Sequence, residues 1–553
     1  MSIIIEEDII YPTFVPKCKY EPMPHQKTAL NFMRERENDY DLRGGIIALD
    51  MGLGKTFTSL YHCLMGREKS SGPTLIISPK TAVYTWVNEI KKFYGNTVSY
   101  FVFTKDEKRV SCITKEELSR YNIILTNYEY VRNMAKGRNV FNKVCLTDLR
   151  GRIFGANTPD RPVLRDDKGE GLLFSMEWPR IISDESHNFS NYKTSLWRAM
   201  ISLCSKSRFC LSGTPIKNSS QDLYAQYKFL GYYEPEFNVK NFHKLELSKF
   251  IHYSDYKKAG IVLPEANHIR VACPLEDEHA NIYEMFLKRA NQEYNNFTIG
   301  GTSFAAIFTL FLRLRQICIA PYTIVPKEKE LKREKKINSK EYFEAQEQLD
   351  YMSGGMASWI NDKEGTAGLK ASKIEKIAEI VKSVPKGEKI VIFTMFKTVI
   401  RLVEEKLLKI EGKKIVCIDG SVTGKKRDEC ITAFKERDYD VMIVSYKIGS
   451  ESLNLTEARH VILTESWWNS AVIEQAKGRI YRIGQTKSVN IYELYVPNDD
   501  RIKSIEIAML EICDRKKHIA EQYMTTGKCE NTANLDAKTM GEILRVANKL
   551  NKE

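Results

Sequence analysis

The chain has 553 residues, of which 43% are apolar, and this is enough for several domains with hydrophobic cores of their own. No apolar run reaches the roughly 18 residues that a membrane span needs, and the acidic start MSIIIEED lacks the features of a signal peptide, so we expect a protein that stays inside the cell. The 84 Lys and Arg exceed the 71 Asp and Glu, and the net charge of +13 favours an anionic partner without identifying it. The 12 cysteines include no CxxC pair, which predicts neither a zinc site nor a disulfide framework.

Two stretches of the chain alternate short β-branched runs with polar turns and helical patterns, which is typical of parallel βαβ units. In the first stretch, about residues 20–235, the predicted strands are 45–49, 74–78, 122–126, 180–183 and 207–212. In the second stretch, about residues 371–525, they are 389–394, 414–418, 440–445, 460–464 and 489–496. The pattern predicts an α/β protein with two similar parallel-sheet lobes.

The intervals around these stretches complete the expected domain organisation. We expect an N-terminal lobe over 1–235, a helical insert over 236–325, a charged flexible linker over 326–370, a C-terminal lobe over 371–525 and a tail over 526–553. The tail has an amphipathic helical pattern near 535–550, and residues 148–171 are rich in Gly, Pro, Asp and Arg, which predicts an exposed loop. The run KEKELKREKK in the linker is interpreted as a solvated helix rather than as an import or DNA-binding signal.

A phosphate-binding pattern follows the first predicted strand. The segment DMGLGKT comprises Asp50, Met51, Gly52, Leu53, Gly54, Lys55 and Thr56. Glycines in such a loop let backbone N–H groups close around phosphate, a lysine reaches the outer phosphates, and a threonine hydroxyl can bind Mg²⁺. Leu49 stands where the strict pattern has its first glycine. The segment nevertheless predicts a site for ATP and Mg²⁺, because it lies directly between an apolar strand and a helix.

An acidic pair lies at the end of a later strand. The apolar run RIIS leads into DESH, which comprises Asp184, Glu185, Ser186 and His187. We expect Asp184 to hold Mg²⁺, directly or through water, and Glu185 to orient and deprotonate the attacking water.

Other segments, in this order, resemble the motifs of superfamily-two helicases and, within them, of the Swi/Snf-type DNA translocases. The resemblance spans most of residues 20–500. In chain order, the segments are MPHQKTALNFM, TLIISPKTAVYTWVNEIKKF, ILTNYE, LSGTPIKNSSQDLYAQYKFLG, LRLRQIC, IVIFTMF, IDGSV, SLNLT and WWNSAVIEQAKGRIYRIGQ. LRLRQIC resembles a segment particular to this family, and the last segment is the most specific match. The resemblance implies two RecA-like lobes with ATP between them and nucleic acid across both.

The resemblance also assigns roles to single residues. Gln26 would read the adenine base, and Ser186, His187, Ser212, Gly213 and Thr214 would couple the motifs. Arg479 and Arg482, three apart and expected on one helix, would act as arginine fingers that neutralise charge on the γ-phosphate. Gln475 and Gln485 would orient the arginines or couple to bound DNA, and Trp467 and Trp468 are expected to pack rather than to stack on a base. Lys80, Thr126 and Thr456 are candidate nucleic-acid contacts.

Some positions depart from the family pattern: Ser450 and Ser452 replace glycines, Ser466 and Ser470 replace prolines, and Tyr481 replaces a histidine. The favoured hypothesis is an ATP-driven translocase on double-stranded DNA, targeted by protein partners. A strand-separating DNA or RNA helicase is the nearest alternative. A catalytically inactive nucleic-acid-binding scaffold is a second alternative, which the presence of Lys55, Asp184 and Glu185 disfavours.

Overall fold

The computed structural model describes residues 18–39, 43–64, 72–137, 168–216, 221–231, 247–299, 304–324, 371–422, 424–436, 439–449, 453–467, 470–526 and 543. These residues form two compact units: unit 1 contains 18–262 and 518–526, and unit 2 contains 263–517 and 543. Each unit is organised around one parallel sheet. Within the described residues, no helix is both long enough and apolar enough to cross a membrane.

The sheet of unit 1 has seven strands in the order β3-β4-β2-β5-β6-β1-β7, and every neighbouring pair is parallel. The strands are β1 (Gly44–Leu49), β2 (Thr74–Ser78), β3 (Tyr100–Val102), β4 (Ile123–Asn127), β5 (Glu177–Asp184), β6 (Cys204–Leu211) and β7 (Ile251–Ser254). The sequences GGIIAL of β1 and TLIIS of β2 are buried along their whole length. This is why they are continuous apolar runs: a parallel sheet is covered on both faces.

Helices connect these strands. In unit 1 the described ones are α1 (Pro24–Asn38), α2 (Lys55–Leu64), α3 (Val83–Tyr94), α4 (Lys115–Ser119), α5 (Tyr128–Gly137), α6 (Leu172–Ser175), α7 (Ser195–Ser202) and α8 (Gln221–Leu230). Helix α3 shows the packing principle, because its buried residues Val83, Trp86, Val87 and Ile90 recur at the spacing of one helical face.

The sheet of unit 2 has six parallel strands in the order β10-β11-β9-β12-β13-β8. They are β8 (Ala266–Ala272), β9 (Lys389–Thr394), β10 (Ile415–Ile418), β11 (Val441–Ser445), β12 (Ala458–Leu463) and β13 (Val489–Tyr495). The described helices of unit 2 are α9 (Asp277–Thr298), α10 (Phe304–Ile319), α11 (Ser372–Ser383), α12 (Lys397–Leu407), α13 (Gly424–Glu436), α14 (Tyr446–Gly449), α15 (Ser470–Lys477) and α16 (Ile505–Thr526), of which residues 518–526 are counted in unit 1.

A buried ion pair joins α11 to α16 in unit 2. The Lys373 ammonium donates to Glu506 Oε1 at 2.7 Å and to the carbonyl oxygens of Thr464 at 2.9 Å and Leu494 at 3.2 Å. The Lys373 side chain is 0% exposed and the Glu506 side chain 1% exposed. The lysine therefore links two helices to the ends of β12 and β13.

All ten predicted strands are confirmed, with ends that differ by at most a few residues. The prediction of a helical insert over 236–325 is wrong in part, because this interval contains β7 and β8 as well as α9 and α10. β7 pairs with β1 and β8 pairs with β13, so the interval contributes a strand to each sheet. Most side chains of β8 are exposed, and a strand of this kind lacks the apolar run by which the others were found.

Three further predictions concern the loop 148–171, the linker 326–370 and the tail helix. Of the loop predicted over 148–171, only 168–171 lies in the described residues. Lys168 is exposed as predicted, whereas Gly169 and Gly171 are buried, and the Gly169 N–H donates to Ile113 O at 2.8 Å. The linker 326–370 lies outside the described residues. Of the tail helix 535–550 only Ile543 is described, and it is helical and packs in the core of unit 2.

Ten of the cysteines lie in the described residues. All ten that the structure describes are unbonded to one another; Cys112 is exposed, and the rest are buried or partly buried.

Candidate active site

The predicted phosphate loop, residues 50–54, connects β1 to the first residue of α2, Lys55. Gly52 and Gly54 adopt positive φ angles of 87° and 84°, which side chains with a Cβ rarely adopt. A Cβ on Gly54 would collide with Nε2 at the end of the Gln26 side chain, which would then have to move. The loop thus runs directly into a helix N-terminus, where free N–H groups and the helix dipole favour a phosphate.

Side chains of α1 and the segment after β7 hold the carbonyl groups of this loop. Gln26 Nε2 donates to Leu53 O at 3.1 Å, and His25 Nε2 lies 3.0 Å from the same oxygen. On the other side of the loop, the Tyr256 hydroxyl donates to Met51 O. Gln26 therefore contacts the phosphate loop, while its role in reading adenine stays a prediction. Sequence reasoning missed Tyr256, because only the pairing of β7 with β1 places it here.

Asp184 is the last residue of β5 and is buried. The Trp86 indole N–H donates to Asp184 Oδ2 at 2.8 Å, and the Tyr128 hydroxyl donates to Asp184 O at 2.5 Å. Burial and the neighbouring Glu185 raise the pKa of Asp184, while the Trp86 hydrogen bond and the charge of Lys55 act in the opposite direction. The carboxylate is therefore oriented by an indole and lies within the electrostatic influence of the phosphate-loop lysine.

Glu185 has φ 49° and ψ 51°, and among the described residues it is the one non-glycine with a positive φ. Its carbonyl oxygen accepts from the Asn188 backbone N–H at 3.0 Å and from Asn188 Nδ2 at 2.8 Å. Its Oε2 lies 3.3 Å from His187 Nδ1. A left-handed glutamate costs on the order of 1 kcal/mol and persists only where its surroundings hold it, as occurs at functional positions.

One side-chain contact connects DESH to the segment SGTP after β6, and a second connects DESH to α8. His187 Nδ1 lies 3.2 Å from Ser212 Oγ, which also accepts from the Thr214 N–H at 3.1 Å. Ser186 Oγ donates to Gln226 Oε1 of α8 at 2.6 Å. A Cβ on Gly213 would lie 3.2 Å from Lys55 Nζ. Unit 1 therefore brings together the lysine, the acidic pair and the third motif, as the sequence predicted; Gln226 was not foreseen.

The arginines of the last motif, in unit 2, do not lie on a helix as expected. Helix α15 ends at Lys477, and Arg479 and Arg482 follow it in turns. The Arg479 carbonyl accepts from the Leu455 N–H at 2.9 Å, and this contact from a distant segment replaces a helical partner. The prediction that helical spacing puts both side chains on one face is therefore wrong, although the residues remain neighbours in the chain.

Gln485 fixes the end of this motif. Its Nε2 donates to Thr456 O and to Ala458 O, each at 3.0 Å, and the Arg482 carbonyl accepts from the Gln485 N–H at 2.9 Å. Gln475, on α15, is buried as well. Gln485 thereby joins the turn that carries Arg482 to the start of β12, and the coupling roles of Gln475 and Gln485 stay predictions.

Trp467 packs within unit 2, as expected. The Arg315 guanidinium lies over the Trp467 ring at 4.2 Å from its centroid, and Arg315 Nη2 donates to Ser466 O at 3.0 Å. Arg315 is fully buried and belongs to LRLRQIC, so two segments of the family resemblance contact each other. Burial lowers the pKa of Arg315 to about 10, and Glu465 partly offsets this effect. Trp468, Ser450 and Ser452 lie outside the described residues.

The three candidate nucleic-acid contacts differ in accessibility. Lys80 is exposed just after β2, and Thr456 is partly exposed. Thr126 is fully buried in β4, and its hydroxyl donates to Phe103 O at 2.7 Å. The prediction that Thr126 contacts nucleic acid is therefore wrong, because its side chain belongs to the interior of the sheet.

Comparisons with known proteins show which family this chain resembles. Residues 25–255 match the SNF2-related domain, and residues 372–484 match the Helicase conserved C-terminal domain. The protein 172L of Invertebrate iridescent virus 6, named as a helicase, is 31% identical over 614 residues, which covers 96% of this chain and 96% of that protein. YwqA of Bacillus subtilis, named as an ATP-dependent helicase/translocase, is 26% identical over 87% of this chain, which spans 46% of YwqA. The solved Sulfolobus solfataricus SWI2/SNF2 ATPase core in complex with dsDNA covers 92% of this chain and 94% of its own, with 23% identity and a TM-score of 0.36.

Proposed function

Because the chain belongs to the SNF2-related helicase family and is an ATP hydrolase acting on nucleic acid, we propose that it moves along duplex DNA and remodels DNA–protein complexes. The observation that supports the duplex specialisation is the contact of Arg315 with Trp467, 4.2 Å from the ring centroid. This contact unites LRLRQIC with the tryptophan-rich motif, the two segments that most favour a Swi/Snf-like translocase over a general helicase.

The hydrolytic roles follow from the phosphate site of unit 1. We assign Lys55 to the outer phosphates and Glu185 to the attacking water. Thr56 and Asp184 fit Mg²⁺, because a hydroxyl and a carboxylate are the hard oxygen ligands that this ion prefers. Bound Mg²⁺ would neutralise charge on the phosphates.

The arginine motif of unit 2 would complete hydrolysis. We assign Arg482 as the main finger on the transferred phosphoryl group and Arg479 as its companion, because charge that develops there needs cations beyond Lys55. The grip on DNA would come mainly from contacts to backbone phosphates, for which Lys80 and Thr456 remain candidates. Such a grip has little sequence preference, and target choice would come from protein partners.

The first test is ATP turnover with matched amounts of duplex DNA, single-stranded DNA and RNA. Duplex DNA is expected to stimulate turnover most, and the Glu185→Gln variant should show no stimulated turnover with any of them. Stronger stimulation by RNA would replace the proposal with the RNA helicase alternative. Binding of nucleic acid without ATP turnover in the unsubstituted protein would favour the inactive scaffold.

A further inference from the structure

Besides the contact between His187 and Ser212, a second set of contacts joins DESH to the segment SGTP. It runs through helix α8. Ser186, next to Glu185, donates its hydroxyl hydrogen to Gln226 Oε1 at 2.6 Å. Gln226 Nε2 in turn donates to Pro215 O at 3.0 Å and to Asp222 O at 3.2 Å. The Ser186 and Gln226 side chains are both fully buried. The chain of contacts therefore runs from the residue after the catalytic glutamate to the end of SGTP.

The chemistry of the partners fixes the orientation of the Gln226 amide. The carbonyl oxygens of Pro215 and Asp222 can only accept hydrogen bonds, so the amide nitrogen must face them. The amide oxygen must then face Ser186, whose hydroxyl donates. Glutamine is the side chain of this length that offers both groups. An apolar side chain would leave the Ser186 hydroxyl without its partner, and a carboxylate would have no hydrogen for the two carbonyls.

The two sets of contacts attach DESH to both ends of the SGTP segment. His187 contacts Ser212 at the start of SGTP, and Ser186 reaches Pro215 at its end through Gln226. Between these ends Gly213 lies against Lys55. Because Ser186 and His187 directly follow Glu185, the loop and the catalytic glutamate are held to each other at two points.

We propose that Gln226 is a positioning residue for ATP hydrolysis, which sets Glu185 against the phosphate-loop lysine through the Ser186–Gln226–Pro215 tether. The proposal rests on the role in hydrolysis proposed above for Glu185. The Ser186–Gln226–Pro215 contacts add a second attachment to the His187–Ser212 contact, and two attachments restrict movement of the SGTP segment relative to DESH more than one does. Misplacement of a catalytic group by a fraction of an ångström lowers the rate of the chemical step without removing substrate contacts.

The test compares Ser186→Ala, Gln226→Met and the double variant by single-turnover hydrolysis of bound ATP without nucleic acid. Each single variant should lower the hydrolysis rate about tenfold, while ATP affinity stays within about twofold, because the contacts to the nucleotide remain. The double variant should be no slower than the slower single variant, since both substitutions break one tether. The amplitude of the single turnover counts the folded sites, so a loss of folded protein does not mimic a lower rate.

Ser183→Ala is the matched control. Ser183 is fully buried on β5, three residues before Ser186, and its hydroxyl has no hydrogen-bond partner among the described residues. The hydrolysis rate of the Ser183→Ala variant should stay within about twofold of that of the unsubstituted protein. The proposal would be overturned if Ser186→Ala and Gln226→Met hydrolyse ATP at the rate of this control. It would also be overturned if the fold-loss of rate in the double variant equals the product of the two single fold-losses. Failure of duplex DNA to stimulate the unsubstituted protein would contradict the translocase instead, because the tether is measured without DNA.

Discussion

At the scale of single residues, the proposed roles separate Lys55, which would bind phosphate, from Glu185, which would act on water. Lys55 begins α2 directly after the phosphate loop. Glu185 follows β5 in a left-handed conformation that the two Asn188 hydrogen bonds support. Lys55 is thus placed by a helix N-terminus, and Glu185 by the turn after a strand. Substitution of each residue should therefore have a distinct kinetic effect.

We expect Lys55→Ala to weaken ATP binding and abolish turnover, whereas Glu185→Gln should retain ATP and stop hydrolysis. Glutamine preserves the size of the side chain and its place in the strained turn, but it cannot accept the proton of water. Nucleotide affinity and single-turnover rates should be measured on both variants. Glu177→Gln is a control on the same strand, where Glu177 is exposed, and should behave as the unsubstituted protein. Equal loss of ATP affinity in the Lys55 and Glu185 variants would contradict these roles.

Arg482→Ala should lower turnover by about a hundredfold or more with ATP affinity preserved, because an arginine finger acts on charge that develops in the transition state. Arg482→Lys should recover only a part of the rate, since an ammonium lacks the planar fork of a guanidinium. The measurement is steady-state turnover at saturating ATP, with Arg479→Ala in parallel. A near-normal rate for Arg482→Ala combined with a low rate for Arg479→Ala would move the finger to Arg479.

The sequence singled out the candidate site residues but not the side chains that contact them. Lys55, Asp184 and Glu185 stand in short patterns that the chemistry requires, so they could be found from neighbouring residues alone. Trp86 is 98 residues from its partner Asp184, and Tyr256 is 205 residues from Met51, so these contacts depend on the tertiary fold. Thr126 was misplaced for the same reason, because a strand pattern does not tell which of its hydroxyls is interior.

At the scale of elements, buried strands with continuous apolar sequences could be predicted, whereas three of the four edge strands, β3, β7 and β8, were missed and only the edge strand β10 was found. β2 was predicted with its observed bounds, because TLIIS is apolar and buried throughout. β7 and β8 lie at sheet edges, and their sequences IHYS and ANHIRVA mix polar with apolar residues. The helix expected at Arg479 was likewise wrong, since the distant Leu455 N–H captures its carbonyl. Local pattern alone does not report such long-range hydrogen bonds.

The buried pair Lys373–Glu506 allows a prediction about the stability of unit 2. Lys373→Met should destabilise this unit by about 3–5 kcal/mol, because it leaves the Glu506 carboxylate buried without its counter-ion. Adding Glu506→Met should recover a part of that loss, though not all, since the Val496 N–H also donates to Glu506 at 2.8 Å. Calorimetric unfolding measures both effects.

Lys376→Met is the matched control for that experiment. Lys376 lies one helical turn further along α11, and its partner Glu379 is exposed to solvent. Only a small change of the unfolding transition is expected, because exposed ion pairs contribute little to stability. A Lys373→Met variant that unfolds like Lys376→Met would show that the buried pair does not stabilise the unit.

At the scale of the whole molecule, the two parallel sheets could be predicted because each repeats the same βαβ pattern. The net charge of +13 favours a polyanion, but only the motifs point to duplex DNA.

Contacts to backbone phosphates displace counter-ions, so binding should weaken steeply with salt and depend little on base sequence. We therefore expect duplex-stimulated ATP turnover to rise with duplex length, to be similar for unrelated sequences, and to fall several-fold between low and physiological salt. Stimulation that depends on one sequence, or that is insensitive to salt, would contradict a grip on phosphates.

Displacement of a third strand distinguishes translocation from strand separation. A translocase that moves along an intact duplex should remove a triplex-forming strand in an ATP-dependent reaction while leaving a forked duplex paired. Two DNA substrates with the same fluorescent label measure both activities in one protein preparation, and Glu185→Gln serves as the control for ATP dependence. The release of the third strand should stop in that variant, because DNA binding alone does not supply directed movement. Efficient unwinding of the forked duplex without triplex displacement would show that the enzyme separates strands, and the helicase alternative would then replace the translocase.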